Sequence, residues 1–137
     1  MRWGGPFNPN TDAIYTMATL SGHHRPSLDL LTLFDTGTEL TCIDDRIAST
    51  IGLDESRSIG PVSFEGLTHP LEGYRVLAPR FTAFGRELED FEIACVRMHS
   101  KLGIDGLIGR DFIRKLRTLI DEIDGRILLT DERIPLP

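Results

Sequence analysis

The residues best suited to chemistry are Asp35, Thr36 and Gly37, which follow the apolar run Leu30-Leu31-Thr32-Leu33-Phe34. A carboxylate delivered by the end of a buried strand, then turned by a glycine, sits where proteins rarely hold a charge. An ionised Asp there needs hydrogen bonds or a partner, or it keeps its proton. Two such carboxylates facing each other can share one proton and divide general-base and general-acid work on a single water. The same three residues also suit a plain turn, with Asp capping the bend and Gly supplying a positive φ. Three common residues do not separate these readings, so the elements around them must decide.

Residues 14–20 and 28–34 favour strands, and Gly22-His23-His24-Arg25-Pro26 between them predicts a hairpin whose second strand feeds into Asp35. Residues 40–43 suit a short strand. Asp44 reads as the N-cap of a short helix carrying Ile47 and Ile51, with Gly52 as its stop. Residues 58–65 and 71–77 form a second hairpin-like pair around Gly66-Leu67-Thr68-His69-Pro70. A third pair covers 80–84 and 88–98 with Gly85 at the bend, and the alternation of Phe91, Ile93 and Cys95 gives it one buried face. Residues 106–109 form a brief apolar strand, and 110–116 carry Phe112, Ile113 and Leu116 at helical spacing. The hairpin 118–123 and 126–130 closes on Asp124-Gly125, a two-residue turn signal. The pattern predicts a mainly β fold with one or two short helices, which a closed or folded-over small barrel fits.

At 137 residues, 40% hydrophobic and 26% charged, the chain is one ordinary globular domain. A net charge of −6 with no basic stripe argues against a nucleic-acid surface. No apolar run approaches the roughly 18 residues of a membrane span, and the first residues lack the apolar stretch of a secretory signal. The expected location is therefore the cytoplasm, unless the domain belongs to a larger anchored precursor. Cys42 and Cys95 have no zinc spacing and are expected as reduced, buried thiols. Cys42 has no basic neighbour or assignable His to make it a nucleophile. Aligning Gly125 with the glycine of a calcium loop puts Ile120 at the first ligand position, which excludes that site. His23 and His24 read as part of a solvated turn; no metal site is expected.

Three features in order resemble the retropepsin-like aspartic proteases, the single-domain relatives of pepsin. Leu33-Phe34-Asp35-Thr36-Gly37-Thr38 matches the family's apolar-apolar-Asp-Thr-Gly-(Ala/Ser/Thr) signature. The hairpin 58–77 stands where the family keeps its flap. Gly106-Leu107-Ile108-Gly109-Arg110-Asp111-Phe112-Ile113 resembles the family's apolar-apolar-Gly-Arg-(Asp/Asn) strand and following helix. The resemblance implies a barrel of the half-pepsin type over residues 14–130, with an extended or loose arm at 1–13 and a tail at 131–137. It implies Asp35 as the catalytic carboxylate, Thr36 bonding the opposite subunit's backbone, and Gly37 admitting its N–H close to the carboxylate. Thr38 and Gly109 support the loop, and Glu39 is expected to pair with Arg110. Glu65, Gly66 and Leu67 fall at the flap tip, which has one glycine where the family is usually glycine-rich. The stretch 127–137 does not closely match the terminal strands with which viral members build their dimer sheet.

One chain holds one Asp-Thr-Gly, whereas the chemistry needs two carboxylates about 3 Å apart. The resemblance therefore implies a symmetric homodimer with Asp35 of each copy on the axis and an extended peptide or protein substrate across it. Peptide hydrolysis by water activated between the two carboxylates needs no cofactor. The rival reading is a catalytically silent dimeric module of the same fold, serving peptide binding or assembly.

Overall fold

The computed structural model of the chain describes residues 1–23, 26–64 and 71–137. Strand β1 is Arg2–Pro6, β2 is Ile14–Ser21 and β3 is Leu28–Phe34, the last two forming the expected antiparallel hairpin from Ile14↔Phe34 to Leu20↔Leu28. In β3 the alternate residues Leu30, Thr32 and Phe34 are buried while Leu31 is exposed, so its apolar run is a one-faced strand. Strand β4 is Cys42–Asp44 and helix α1 is Asp45–Thr50. The Asp44 carboxylate accepts the Arg46 N–H at 3.0 Å, the expected cap, and Gly52 turns the chain with φ +83°.

Strand β5 is Gly60–Phe64, β6 is Leu71–Ala83 and β7 is Arg86–Val96. The sequence predicts two strands, 71–77 and 80–84, where the chain makes β6 alone. The reason lies opposite Pro79. The register runs unbroken from Ala78↔Phe91 to Arg80↔Glu89, and Asp90, opposite Pro79, takes φ +48°, so no ladder bond needs the N–H that proline lacks. Phe84 (φ +50°) and Gly85 (φ +74°) make the tight turn into β7. The turn predicted at 22–26 lies partly, and that at 66–70 wholly, outside the described residues.

Strand β8 is Gly106–Ile108, and helix α2 is Arg110–Ile113, shorter than the expected 110–116 because Arg114 leaves helical geometry and Lys115 takes φ +65°. Strands β9, Arg117–Asp121, and β10, Arg126–Thr130, form the closing hairpin. Its turn takes up the four residues between the strands instead of the predicted two. The Asp121 carboxylate accepts the N–H groups of Ile123 and Asp124 at 2.9 and 3.0 Å, which holds the wider bend.

Six strands run in the order β2-β3-β8-β4-β7-β6, and β6 returns to β2 through Thr19↔Thr82, Leu20↔Phe81 and Ser21↔Arg80. That seam closes a barrel, with β5 hydrogen-bonded to the outer part of β6. Leu20, Leu30, Ile43, Val76, Phe81, Ile93, Ile108 and Phe112 fill the interior, each stabilising the fold by roughly 1.5–3 kcal/mol relative to an exposed position. A second sheet, β1-β10-β9, covers one side. Residues 2–6 are thus extended, as expected, but not loose: they pair with β10 from Arg2↔Thr130 to Pro6↔Arg126. Arg86 ties this sheet to the barrel. Its guanidinium lies 5.2 Å from the Trp3 ring and 5.4 Å from the Phe112 ring, and donates to the Phe112 carbonyl. Among the described residues no helix is long and apolar enough to cross a membrane.

Candidate active site

Asp35 follows the last residue of β3, and its N–H donates to the Ile108 carbonyl at 2.9 Å. The parallel pairing of β3 with β8 therefore fixes where the carboxylate leaves the barrel. The Gly37 N–H donates to Asp35 Oδ1 and the Thr38 hydroxyl to Asp35 Oδ2, both at 2.8 Å. The carboxylate is half-buried, and each oxygen keeps acceptor capacity for a water or a second carboxyl group. Of the two readings of Gly37, close approach is the one realised. Its φ is not positive, and a Cβ there would stand 3.2 Å from Asp35 Oδ1. Thr36 is exposed beside it.

Gly109 backs the loop. A Cβ at this position would meet the Leu40 carbonyl carbon at 2.7 Å and the Leu40 and Thr38 oxygens at 2.8 Å. The next two amides extend the contact, Arg110 N–H to Thr38 O at 2.8 Å and Asp111 N–H to Glu39 O at 3.1 Å. Glu39 and Arg110 thus lie on neighbouring segments, Arg110 bonded through its N–H to Thr38 and Glu39 through its carbonyl to Asp111. The expected ion pair between their side chains is absent among the described residues; both side chains are exposed to water, which separates them at little cost.

The carboxylate that does reach the loop is Asp111. It accepts the Thr41 N–H at 3.0 Å on both oxygens and the Thr41 hydroxyl at 2.7 Å. Thr41 Oγ1 in turn accepts the Gly109 N–H at 3.2 Å. Thr41 is fully buried, so this triangle of Asp111, Thr41 and Gly109 is the inner brace of the Asp35 loop. The sequence reading assigned no role to Thr41 or Asp111. The usable signal was the Asp directly after Gly109-Arg110, at the first turn of a helix that starts where β8 ends.

Two hollows open beside the loop. One of about 230 Å³ is lined by Gly37, Thr38, Cys42, Phe64, Leu71 and Met98, among others, and is mainly apolar. Another of about 540 Å³ lies between Thr36, Gly37, Glu39 and the segment Arg110 to Leu116. Cys42 and Cys95 are free and buried, and desolvation pushes both thiols up to about 12, which leaves them inert as nucleophiles. Among the described residues no three His, Cys, Asp or Glu side chains converge as metal ligands. Glu65, Gly66 and Leu67, expected at the flap tip, lie outside the described residues.

A closed six-stranded barrel that presents a doubly hydrogen-bonded Asp-Thr-Gly carboxylate at a strand end has the architecture of one half of an aspartyl protease. The aspartyl protease family model matches residues 17–112, and the chain belongs to the retropepsin-like aspartyl protease family. Among solved structures it is similar to a retropepsin-like aspartic protease from Rickettsia conorii, with a TM-score of 0.67 and 12% identity over 94% of this chain and 89% of that one. It is also similar to the retroviral protease-like domain of Ddi1 from Leishmania major, with a TM-score of 0.54 and 16% identity over 82% of this chain and 83% of that one. No curated protein matches the chain significantly.

Proposed function

We propose that the protein is an aspartic endopeptidase, active as a symmetric homodimer that brings Asp35 of two copies to one axis. The observation that carries this reading is the Asp35 carboxylate itself, held by Gly37 and Thr38 but open to a further partner. In this mechanism one Asp35 is ionised and takes a proton from a water held between the pair. The protonated Asp35 of the second copy polarises the peptide carbonyl as the water attacks. The tetrahedral intermediate collapses when a proton passes to the amide nitrogen. Thr36, exposed beside the carboxylate, bonds the second copy and locks the two loops. Thr38, Glu39, Gly109 and Arg110 support the loop, the last three through the main-chain contacts described above.

Substrate lies extended across the axis, its backbone added as a strand beneath the hairpin of β5 and β6. Phe64 and Leu71, the last pair in the ladder of that hairpin, line the 230 Å³ hollow with Thr38, which suits an apolar substrate side chain next to the scissile bond. The test is a mixed peptide library offered to wild type and to Asp35→Asn. Wild type should cleave, and the variant should lose at least about 10³-fold of that rate. Cleavage by neither protein, across acidic and neutral pH, would favour the silent dimeric module instead.

A further inference from the structure

Strand β7 ends at Val96, paired with Asp44, and the chain regains a strand only at Gly106. Among the described residues, side chains tie the start of this connection to the rest of the molecule at two places, Arg97 and Met98. Both ties run to the start of α1. Arg97 donates from Nε and Nη2 to the Asp45 carboxylate at 2.7 and 3.2 Å. The Met98 carbonyl accepts Arg46 Nη2 at 3.0 Å.

The two ties differ in kind. The side chains of Arg97 and Asp45 are 63% and 28% exposed, and such a pair holds weakly. Arg46 is gripped by a carboxylate turned away from water, since Asp44 is 6% exposed. Asp44 Oδ1 accepts the Arg46 N–H and Nε at 3.0 and 3.1 Å, and Oδ2 accepts Nη2 at 2.7 Å. A planar guanidinium held on both oxygens of one carboxylate has a fixed place to stand. The same Nη2 reaches the Met98 carbonyl, so the buried carboxylate fixes the backbone of residue 98 through Arg46.

Met98 is buried in one cluster with Cys42, Ala94 and Val96, and its side chain forms part of the wall of the 230 Å³ hollow beside Gly37 and Thr38. Methionine is unbranched and flexible, so where this wall stands depends on where the backbone behind it is held. We infer that Arg46 is a positioning residue for this hollow, and that its grip on the Met98 carbonyl limits the size of the apolar side chain the hollow admits. Arg46 does not line the hollow and acts only through Met98. In its functional meaning the inference rests on the endopeptidase reading, in which the hollow takes a substrate side chain.

Two variants test it. Arg46→Lys keeps a cation for Asp44 but loses the fork that serves both acceptors, and Arg46→Ala removes fork and charge together. Arg97→Ala is the control. Iodoacetamide alkylation, mapped to each thiol, is the readout that needs no activity, because Cys42 lines the hollow with Met98 while Cys95 faces the main core. In both Arg46 variants Cys42 should react at least about fivefold faster than in wild type, with Cys95 unchanged. In Arg97→Ala both thiols should react as in wild type. Cleavage is read on two peptides that differ only in valine or phenylalanine beside the cleaved bond. The ratio of kcat/KM should move toward phenylalanine by at least about fivefold in the Arg46 variants, through KM and not kcat. Cys42 reacting at the wild-type rate in Arg46→Lys would overturn the proposal, since charge alone would then suffice. Faster reaction of both thiols together, or an unchanged preference in an enzyme that cleaves, would overturn it as well. If wild type cleaves neither peptide, faster alkylation of Cys42 alone keeps the hold of Arg46 on Met98 and removes the endopeptidase.

Discussion

Burial pushes the Asp111 carboxyl above the usual carboxylate range, even though the Thr41 N–H and hydroxyl donate to it and pull the other way. A folded-state value above the unfolded one means that the native protein binds this proton more tightly. The resulting stabilisation is present below the ordinary Asp pKa and is lost as pH rises through the folded value. Asn cannot titrate, so the stability of wild type minus that of Asp111→Asn should fall between acidic and neutral pH, by about 1 kcal/mol or less for a group only half-buried. Urea unfolding of both proteins across that range checks it, and a difference that grows with pH would refute the assignment. The site was legible at this scale wherever the chemistry is local. Asp35, Thr36 and Gly37 could be picked out because a carboxylate and a close-approach glycine stand side by side in the chain. Thr41 was hidden because a buried threonine looks like any strand residue until Asp111, 70 positions away, is folded against it.

Elements with strong local signals lie where the sequence placed them. The hairpin β2–β3, the cap at Asp44 and the turn at Phe84-Gly85 each follow from nearest-neighbour physics. What could not be read depended on a partner. Pro79 looks like a break until Asp90 opposite it, with its left-handed backbone, makes no use of the missing N–H, and residues 2–6 look loose until β10 is beside them. α2 ends early because Lys115 adopts a left-handed backbone that no residue type announces. β9 offers a test of its own. Thr118 Oγ1 is buried without a hydrogen-bond partner among the described residues, which costs about 1–3 kcal/mol of desolvation. Thr118→Val keeps the shape and removes that cost, so it should raise stability by about 1 kcal/mol in thermal or urea unfolding. A destabilised variant would show that the hydroxyl is satisfied.

Across the whole molecule, the Asp35 loop is framed from the far end of the chain. Ile108 holds the Asp35 amide, Gly109 lies against Leu40, and Asp111 anchors Thr41. Closing such distant contacts costs conformational entropy before they return any, whereas the β6–β7 turn closes over two residues. Ile93→Val, in that hairpin, should therefore slow refolding, while Ile108→Val should mainly speed unfolding. Chevron plots of the two buried sites decide this, and the reverse ordering would exclude it. The parallel joining of β3 to β8 then bears on synthesis. A ribosome that has released residues 1–105 has already exposed Asp35, Thr36 and Gly37, but not the carbonyl, the glycine and the carboxylate that set them in place. Translation order alone thus keeps the nascent chain from holding a framed carboxylate until residue 111 has emerged.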